Sequence, residues 1–471
     1  METNDVTSAN SSSFPESRAS GAEKVILGLG KTGLSCARYF SRLGVPFRVM
    51  DARAEPELLG DLSDLDPAPL FSLFNDETVF NPDEVNELIV SPGIPLSRQA
   101  IQNAITAGIG VNGDVNIFLK QARVPVIGIT GSNGKSTVTA LLGEMLKAQG
   151  MKVGVGGNIG TPCLDLLDQD CDVYVLELSS YQLEVVEDAR CEIATVLNLS
   201  PDHLDRYDSD ASYYRTKAKI YANAKLALRN KDLDFDFEFG PDTEIINFGS
   251  GTPDAGDYGI AGDGTEVYLC QGTRKIVACS QILMRGRHNA ENALVATAIA
   301  ERMGVSPTVI IETLGRFKGL AHRCEFVAEK AGVTFINDSK STNPGSTIAA
   351  IEGFFEPGRG LIVILGGQAK GADFSPLRDA IIKVGCEVLL YGEDAGQIER
   401  SLAGCSTSRF QTLAEVLDSV IELTRGLTID DSGNKSDCVV LFSPGCASFD
   451  QFRNFEDRGN QFRLLVEDKL R

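Results

Sequence analysis

Aromatic residues are scarce in this chain of 471 residues: they make up only 7% of it, and tryptophan is absent. Long apolar runs are absent too, since none approaches the ~18–20 residues that a membrane-spanning helix needs. The sequence therefore predicts no membrane span and no membrane partner. Few aromatic residues beside 47 glycines are typical of an α/β protein with tight turns between strands and helices, and they argue against an all-β sandwich.

Positive charge is also in short supply, because 44 lysines and arginines face 65 aspartates and glutamates, which gives a net charge of −21. A surface this acidic repels phosphate backbones, so we expect no nucleic-acid partner. Any phosphate ligand must then be held locally, by helix N-termini, backbone N–H groups and a few well-placed cations.

The eleven cysteines include no C-x-x-C pair, and the chain has only three histidines. This usage indicates reduced thiols in a reducing compartment and leaves little material for a zinc site. Residues 1–20 are polar and serine-rich, and they lack the basic and apolar regions of a secretory signal. We therefore expect a disordered tail over residues 1–20 and a cytoplasmic protein behind it.

Short apolar runs recur along the chain, each followed by small or polar residues and then by a segment of helical length. Runs without alternation, such as residues 126–129, are typical of strands buried on both faces. Such strands alternating with helices build parallel sheets covered by helices. The runs fall into three groups, which predicts three α/β domains over residues 21–112, 113–319 and 320–471, with a polar, weakly patterned stretch near 230–280.

A glycine-rich turn follows the first apolar run and opens a helical segment. It ends at Gly33, and Asp51 ends the next apolar run 18 residues further on. This spacing is the fingerprint of a dinucleotide site, in which phosphates lie on a helix N-terminus. The residues alone favour NAD, with another diphosphate-bearing nucleotide or an empty tight turn as alternatives. Polar side chains that could contact such a ligand lie close by: Lys31, Thr32 and Arg53.

A second glycine-rich loop, residues 131–137, follows the apolar run 126–129 and opens another helical segment. In a P-loop, backbone N–H groups wrap phosphate oxygens, a lysine reaches the terminal phosphates and a hydroxyl ligates Mg²⁺. Lys135 and Ser136 take those two positions here. Ile129 stands where the strict pattern has its first glycine, but strand, loop and helix are in order, so we expect a nucleoside triphosphate.

Glu177 lies at the end of a buried apolar run, where the ligands of parallel sheets collect. Mg²⁺ prefers hard oxygen ligands and accepts one or two protein carboxylates together with phosphate oxygens and water. The carboxylate of Glu177 is therefore the natural partner of the Ser136 hydroxyl.

A polar loop, residues 198–207, follows the next buried run, so we expect it at the same sheet edge as Glu177. It contains His203, which we interpret as a site residue because it lies in a polar loop at a strand end between two aspartates. Lys217 and Lys219 follow in a segment, residues 213–225, that we expect to be helical.

Four polar phrases lie in the last third of the chain: residues 322–323, 337–343, 366–370 and 443–450. Each of the last three follows an apolar run. Arginine, lysine and hydroxyl groups at strand ends suit an anionic substrate. The same groups suit closure over bound ATP.

These phrases together resemble the Mur ligases, the amide-forming ligases of peptidoglycan synthesis. The resemblance spans residues 22–470 and is weakest over 230–280. The P-loop phrase is shared with folylpolyglutamate synthetases, whereas the C-terminal phrases are similar to those of the Mur ligases that add D-glutamate. The phrases that carry the resemblance are residues 131–137, 153–160, 176–184, 198–207, 322–323, 337–343 and 443–458.

The resemblance implies a Rossmann-like N-terminal domain that holds a UDP-linked substrate rather than NAD, a central P-loop ATPase-type parallel sheet and a Rossmann-like C-terminal domain. It implies the joining of D-glutamate to UDP-N-acetylmuramoyl-L-alanine, with ATP converted to ADP and phosphate through an acyl phosphate. It further implies two Mg²⁺ ions, a lysine carbamylated by CO₂, and a place in cell wall biogenesis, cell shape and cell division. We expect a monomer. A sister Mur ligase, a folylpolyglutamate synthetase-like ligase and a non-catalytic nucleotide-sensing module stay open as alternatives.

The resemblance also assigns roles by position. Catalysis falls to Lys135, Glu177, His203 and Lys217, with Lys217 as the carbamate and Lys219 kept open because the spacing from His203 is one residue short. ATP binding falls to Gly131, Ser132, Asn133, Gly134, Lys135, Ser136, Thr137, Asn292, Arg323 and Asp338. The residues implied to bind the UDP-linked substrate are Lys31, Thr32, Asp51, Arg53, Gly93 and Asn158. Ala52 stands where a hydroxyl residue is expected. D-Glutamate falls to Thr342, Lys370 and Ser448 and to backbone groups of Phe449 and Phe455, and the metal ions to Ser136, Glu177, His203 and the Lys217 carbamate.

Overall fold

The computed structural model describes residues 23–202, 206–262, 264, 266–284, 286–425 and 437–470. The tail expected over residues 1–20 and the candidate residue His203 lie outside the described residues. The described chain forms two compact units. The first contains residues 23–121, Pro162–Asp168 and Glu184–Glu187, and the second contains Ala122–Thr161, Gln169–Leu183 and 188–470. None of the described helices has the length and apolar character needed to cross a lipid bilayer.

The first unit is built on a five-stranded sheet. Its strands are β1 (Glu23–Leu27), β2 (Phe47–Asp51), β3 (Leu70–Leu73), β4 (Val85–Val90) and β5 (Gly110–Asn112). They are all parallel, in the order β3-β2-β1-β4-β5. The helices of this unit are α1 (Lys31–Arg42), α2 (Leu59–Ser63), α3 (Gln99–Thr106), α4 (Asp114–Gln121) and α6 (Cys163–Leu166). Because β1 is the central strand, the glycine-rich turn that follows it opens at the middle of the sheet edge.

A nine-stranded sheet forms one part of the second unit. Its strands are β6 (Val126–Thr130), β7 (Val153–Gly157), β8 (Val173–Glu177), β9 (Ile193–Val196), β10 (Leu226–Asn230), β11 (Glu244–Gly249), β12 (Tyr258–Gly262), β13 (Val267–Gln271) and β14 (Arg274–Ala278). The order is β14-β13-β12-β11-β10-β9-β6-β8-β7. The described helices around it are α5 (Lys135–Ala148), α7 (Ser180–Leu183), α8 (Asp210–Ala218), α9 (Arg287–Arg302) and α10 (Pro307–Arg316), with 3₁₀ turns Lys219–Tyr221 and Cys279–Gln281.

A six-stranded sheet forms the other part of the second unit. Its strands are β15 (Glu325–Lys330), β16 (Val333–Asn337), β17 (Gly360–Gly366), β18 (Glu387–Tyr391), β19 (Thr407–Arg409) and β20 (Cys438–Phe442), in the order β15-β16-β20-β17-β18-β19. The described helices are α11 (Pro344–Phe354), α12 (Ser375–Val384), α13 (Ala395–Ser401), α14 (Leu413–Arg425) and α15 (Phe455–Lys469). The described part of the chain thus has three sheets flanked by helices, which confirms the α/β class expected from the strand–helix alternation.

The cores follow from strands that are apolar on both faces, as expected from runs without alternation. Every residue of β6, β8, β9, β16 and β20 is buried. Helices α5, α9 and α10 pack together against the nine-stranded sheet, and α11 contacts both α9 and α12. These helices hold the strand ends of the second unit in fixed positions.

Three local features depart from the expectations. β13, β14 and β15 pair antiparallel with their neighbours, in sheets that the alternation predicts to be parallel. The weakly patterned stretch near 230–280 contains four strands, β11 to β14. The helix predicted over residues 213–225 is wrong in both bounds. It begins at Asp210, because the Ser209 hydroxyl accepts from the backbone N–H of Ser212 at 3.2 Å, and it passes into a 3₁₀ turn after Ala218.

Candidate active site

The P-loop joins β6 to α5 in the interior of the nine-stranded sheet. Gly134 adopts φ +81°, and a Cβ atom there would lie 2.3 Å from Oδ1 of Asn292, so the loop needs glycine at this position. Lys135 begins α5, and its Nζ donates to the carbonyl oxygens of Gly131 at 2.8 Å and Ser132 at 2.9 Å. The lysine therefore curls over the loop, where its charge can meet phosphate oxygens.

The loop after β9 holds the P-loop from the side. Oδ1 of Asn198 accepts from the Asn133 backbone N–H at 2.7 Å, and its Nδ2 donates to the Asn133 carbonyl at 3.0 Å. The Ser132 hydroxyl donates to the Ser200 carbonyl at 3.1 Å and accepts from the Ser200 backbone N–H at 3.0 Å. This loop and Glu177 lie at the same sheet edge, as the sequence predicts, and the strand order β9-β6-β8 puts them on either side of the P-loop.

Glu177 ends β8 with its side chain buried at 2% exposure. Its Oε2 accepts from the Ser136 hydroxyl at 2.5 Å, and its Oε1 accepts from Nδ2 of Asn158 at 2.7 Å. The carboxylate, the hydroxyl and the amide oxygen of Asn158 are hard oxygen donors of the type that Mg²⁺ prefers. The residues therefore fit a magnesium ion at this point of the site.

Lys217 lies on α8 and is almost completely buried, with 1% of its surface exposed. Its Nζ donates to the carbonyl oxygen of Gly131 at 2.9 Å and lies 4.6 Å from the centre of the Tyr213 ring. Lys219, by contrast, is exposed. The structure thus brings Lys217, and not Lys219, to the P-loop.

Two ammonium groups converge on one carbonyl oxygen, because Lys135 and Lys217 both donate to Gly131. Burial, followed by the charge of Lys135, holds the pKa of Lys217 well below its usual range. Burial also lowers the pKa of Lys135, although the carboxylate of Glu177 opposes that shift. Two protonated lysines at one acceptor repel each other, so the geometry favours a neutral amine at Lys217.

The six-stranded sheet contributes charged groups to the same site. Arg323 lies between two residues in the left-handed region, His322 at φ +63° and Cys324 at φ +47°. The carboxylate of Asp338 accepts from the Ser443 hydroxyl at 2.8 Å and from the Cys324 backbone N–H at 3.1 Å. Burial raises the pKa of Asp338 to about 6, despite these donors. The guanidinium of Arg323 and the carboxylate of Asp338 lie close enough for their charges to interact.

Lys340 is a second cation that the six-stranded sheet brings to the site, and the sequence analysis did not single it out. Its Nζ lies 4.1 Å from the centre of the Phe455 ring, and burial followed by the charge of Arg323 lowers its pKa. The signal was present, because Lys340 sits inside the phrase 337–343 that follows an apolar run. No spacing rule, however, distinguishes a binding lysine in such a phrase from a lysine that is only exposed to solvent.

These elements enclose a cavity of about 850 Å³. Most of the residues expected to bind ATP line it, together with groups expected to bind the other substrates. The sequence-predicted residues in its wall are Ser132, Asn133, Gly134, Lys135, Ser136, Thr137, Asn158, Glu177, Asn292, Arg323, Asp338, Thr342 and Phe455. Lys370, Ser448 and Phe449 lie outside this lining.

Those three residues form a second cluster on two loops of the six-stranded sheet. The Nζ atom of Lys370 lies 4.7 Å from the centre of the Phe449 ring. The two loops pair through Gln368 and Ala447, whose backbone N–H groups donate to each other's carbonyl oxygens at 2.9 and 3.0 Å. Ser448 is buried, whereas Lys370 and Phe449 are exposed. The structure therefore brings together residues that lie far apart in the sequence.

Arg458 is a buried residue of α15 that the sequence analysis did not identify. It is the largest fully buried side chain among the described residues, at 0% exposure. Its guanidinium donates to the Ser339 hydroxyl at 2.9 Å, to the Ser339 carbonyl at 2.6 Å and to the Cys446 carbonyl at 2.9 Å. The Ser339 hydroxyl in turn donates to the carbonyl oxygen of Phe455 at 2.8 Å. This network ties the loops after β16 and β20 to α15.

The glycine-rich turn of the first unit has its own polar cluster around Asp51. The two carboxylate oxygens accept from the Leu29 backbone N–H at 2.7 Å and from three nitrogens of Arg53, each at 2.9 Å. The hydrogen bond from the Arg53 side chain is the main reason that the pKa of Asp51 falls to about 2. Four donors fill a carboxylate's acceptor sites. Asp51 therefore ties Arg53 and the turn after β1 together at the end of β2.

Two other residues expected to contact the UDP-linked substrate lie beside this turn, Lys31, which is exposed, and Thr32, which is half-buried, whereas Gly93 is exposed in the loop after β4. Gly28 has φ +91°, and a Cβ atom on Gly33 would lie 1.9 Å from the carbonyl oxygen of Gly28. The turn therefore needs glycine at both positions for the close approach of α1 to β1.

A P-loop at the carboxyl end of a parallel strand, with a buried carboxylate on its serine, defines a nucleotide-binding α/β protein. Family models cover most of the chain: a Mur ligase MurD-like N-terminal domain matches residues 22–113, a Mur ligase middle domain 129–300 and a Mur ligase glutamate ligase domain 322–444. The chain belongs to the Mur ligase family.

Individual relatives agree with the family models. The chain is 42% identical over 445 residues to the UDP-N-acetylmuramoylalanine--D-glutamate ligase of Marinobacter nauticus, which covers 94% of this chain and 97% of the relative. It is 41% identical over 444 residues to the enzyme of the same name from Hahella chejuensis, with 94% and 97% covered. Among solved structures, the UDP-N-acetylmuramate-alanine ligase of Thermotoga maritima has a TM-score of 0.55 at 17% identity, covering 95% of this chain and 99% of that one, and shows the fold.

Proposed function

We propose that this protein joins D-glutamate to UDP-N-acetylmuramoyl-L-alanine, with conversion of ATP to ADP and phosphate, in the synthesis of peptidoglycan precursors. The observation that carries the proposal is the cavity of about 850 Å³ in which the P-loop lysine, the Ser136–Glu177 pair and the cations Arg323 and Lys340 meet. The named activity of relatives that are 41–42% identical over nearly the whole chain supports the choice of substrates.

The chemistry begins with a carboxylate, which is a poor acylating group because its oxygen leaves badly. Transfer of the terminal phosphoryl group of ATP to that oxygen gives ADP and an acyl phosphate, in which phosphate is a good leaving group. The amine of D-glutamate then attacks the acyl carbon, the tetrahedral intermediate collapses, and the amide and phosphate are released. Lys135, Arg323 and Lys340 supply positive charge around the phosphoryl group as it moves.

Ser136 and Glu177 would hold one Mg²⁺ ion through their side-chain oxygens, and Asn158 orients the Glu177 carboxylate. A second ion would be held by His203 and by a carbamate on Lys217. When bound, such ions neutralise phosphate oxygens. The carbamate forms when the neutral amine of Lys217 attacks CO₂ and loses a proton. The convergence of two ammonium groups on the Gly131 carbonyl supports it, because carbamylation turns one cation into an anion.

The substrates are divided among three regions of the chain in this proposal. Residues 21–112 hold the UDP-linked substrate, 113–319 hold ATP and 320–471 hold the amino acid. Asn133, Gly134 and Thr137 would wrap the phosphates, and Asn292 and Asp338 would contact the nucleoside. The UDP end would be held by Lys31, Thr32, Asp51, Arg53 and Gly93, with Asn158 on the acyl part. The D-glutamate would be held by Thr342, Lys370, Ser448, Phe449 and Phe455.

An assay of phosphate release across acceptors and amino acids tests the proposal. We expect release only when ATP, UDP-N-acetylmuramoyl-L-alanine and D-glutamate are all present, with little release when L-glutamate replaces D-glutamate. Equal rates with L-glutamate, or a preference for a lysine-type amino acid, would contradict it. Release with a folate acceptor would favour the folylpolyglutamate synthetase alternative.

A further inference from the structure

A short loop after β18, residues 392–394, lies between the two loops that carry Lys370 and Phe449. The backbone N–H of Ala369 donates to Oδ2 of Asp394 at 2.7 Å. In the other direction, the backbone N–H of Asp394 donates to the carbonyl oxygen of Gly367 at 3.1 Å. Asp394 therefore clasps the loop that leads into Lys370 from both sides.

The same short loop contacts the loop that carries Phe449. The backbone N–H of Glu393 donates to Oδ2 of Asp450 at 3.2 Å. Gly392 has φ +84°, and a Cβ atom there would lie 2.5 Å from Oδ2 of Asp450 and 2.9 Å from the nitrogen of Gly367. The two candidate amino-acid-binding loops are thus joined through residues 392–394 as well as through their own backbone bridge.

Asp394 occupies the N-cap position of α13, where an aspartate ordinarily accepts from its own helix's N–H groups. Here the side chain makes no capping hydrogen bond, and its carboxylate goes to Ala369 instead. The residue after Ala369 is Lys370, whose φ of +49° lies in the left-handed region that L-residues rarely adopt. The Asp394 side chain thus leaves its own helix uncapped and bonds to a strained turn instead, which points to a role in that turn.

We propose that Asp394 is a positioning residue for the amino-acid substrate: by holding the Ala369 N–H, it fixes the turn that places the Lys370 ammonium over the Phe449 ring. This inference rests on the proposed function, in which Lys370 binds a carboxylate of D-glutamate. Asp394 itself acts on the turn and reaches the substrate only through Lys370. Without the acceptor oxygen of Asp394, the turn at Ala369 becomes mobile and the Lys370 ammonium no longer has one fixed position. Amino-acid binding then weakens, while ATP binding does not change.

Three substitutions separate this role from helix capping. Asp394→Asn keeps an acceptor oxygen of the same reach, whereas Asp394→Ala removes it. Asp394→Ser keeps a good N-cap residue for α13, and so protects the fold, but its hydroxyl is too short to reach Ala369. Glu393→Ala is the matched control, because that side chain is exposed and only its backbone N–H is used.

Steady-state kinetics with all three substrates gives the first readout. We expect Asp394→Ser and Asp394→Ala to raise the KM for D-glutamate about tenfold or more, with kcat and the KM for ATP within about threefold of wild type. Asp394→Asn and Glu393→Ala should stay within about threefold of wild type in every constant. In a Lys370→Ala background, Asp394→Ser should add nothing further, because both changes remove the same interaction.

Hydrogen exchange gives a second readout that does not depend on turnover. The Ala369 amide should exchange at least about tenfold faster in Asp394→Ser than in wild type or Asp394→Asn. A wild-type KM for D-glutamate in Asp394→Ser, or an equal rise in the KM for ATP, overturns the positioning role. If wild type itself gives no turnover with D-glutamate, the proposed function fails instead, and the exchange rates still decide whether Asp394 holds the turn.

Discussion

Lys217 shows how burial can make a lysine, a residue common on surfaces, reactive as a neutral amine. Its ammonium shares the Gly131 carbonyl with Lys135, and its pKa is held well below the usual range by burial and by that second charge. We expect Lys217→Ala to lower turnover by about 10³-fold, the scale of losing an electrostatic stabiliser. A small added carboxylate should restore part of the activity by occupying the vacated space.

Lys219→Ala is the matched control, because Lys219 is exposed two residues further along the chain. It should keep wild-type turnover. Full activity of Lys217→Ala, or electron density that shows a plain amine at Lys217 in a metal-loaded crystal, would contradict the carbamate. The sequence left both lysines open, since the spacing of Lys217 from His203 is one residue shorter than the resemblance implies.

Asp338 makes a prediction about pH. Burial raises its pKa from 3.8 to about 6, so it is an anion above that pH and a neutral acid below it. If the anion accepts from hydroxyl groups of the nucleotide, kcat/KM for ATP should fall as the pH drops through about 6. The Asp338→Asn variant should have a lower kcat/KM for ATP than wild type at neutral pH, and its kcat/KM should not fall further as the pH drops through about 6.

The sign of the stability effect provides the control for this experiment. Because folding raises the pKa of Asp338, the folded state binds the proton more tightly than the unfolded state does. Protonation of this group therefore favours the folded protein as the pH falls through about 6. A loss of activity that coincides with a loss of thermal stability would have another origin and would contradict the prediction.

Among the loops and helices, the P-loop depends on glycine at a particular position. Gly134→Ala meets two obstacles: φ is +81°, and the new Cβ atom would lie 2.3 Å from Oδ1 of Asn292. We expect kcat/KM for ATP to fall about 10²-fold or more, because the backbone N–H groups that wrap the phosphates move. Gly150→Ala at the other end of α5 is the matched control.

Gly150 has φ +96°, a similar backbone strain, but open space around the position of a Cβ atom. Its substitution should lower the thermal midpoint and leave ATP kinetics unchanged. If both variants lose ATP affinity alike, strain alone is responsible and the contact with Asn292 has no role.

The sequence predicted those parts of the fold whose signals are local. Apolar runs gave the buried strands, and glycine-rich phrases after them gave the P-loop and the turn after β1. The antiparallel strands β13 and β14 were missed because they are short and lie in the weakly patterned stretch near 230–280, where pairing partners, not composition, decide the strand direction.

The site was predictable where a motif fixes a spacing, and hidden where only the fold brings residues together. Ser136 and Glu177 lie 41 residues apart, yet each lies within a recognisable phrase, and the Ser136 hydroxyl meets the Glu177 carboxylate at 2.5 Å. Asp394 lies in no such phrase, and Arg458 closes the phrase 443–458 without a spacing that marks its role. Their roles depend on backbone carbonyl and N–H groups of distant loops, which no pattern of side chains encodes.

Across the full chain, the two glycine-rich turns belong to different compact units, which predicts independent effects on the two nucleotides. Asp51→Ala releases Arg53 and the Leu29 backbone N–H. We expect the KM for the UDP-linked substrate to rise about tenfold or more, with the KM for ATP unchanged within about twofold. NAD should compete with neither substrate, and tight NAD binding in a titration would restore the dinucleotide interpretation.

The strand order of the six-stranded sheet determines when its parts can pair during synthesis of the polypeptide. β20 lies between β16 and β17, although a ribosome delivers it after both. Until Cys438–Phe442 has emerged, β16 and β17 each hold an open, apolar edge, a template for aggregation and a surface that chaperones bind. Ser443, which holds the carboxylate of Asp338, and Arg458, which ties Ser339, arrive later still. The nucleotide and amino-acid loops of this sheet are therefore completed only after β20 and the start of α15 have been synthesised, and a polypeptide that stops before Cys438 keeps those apolar strand edges unpaired.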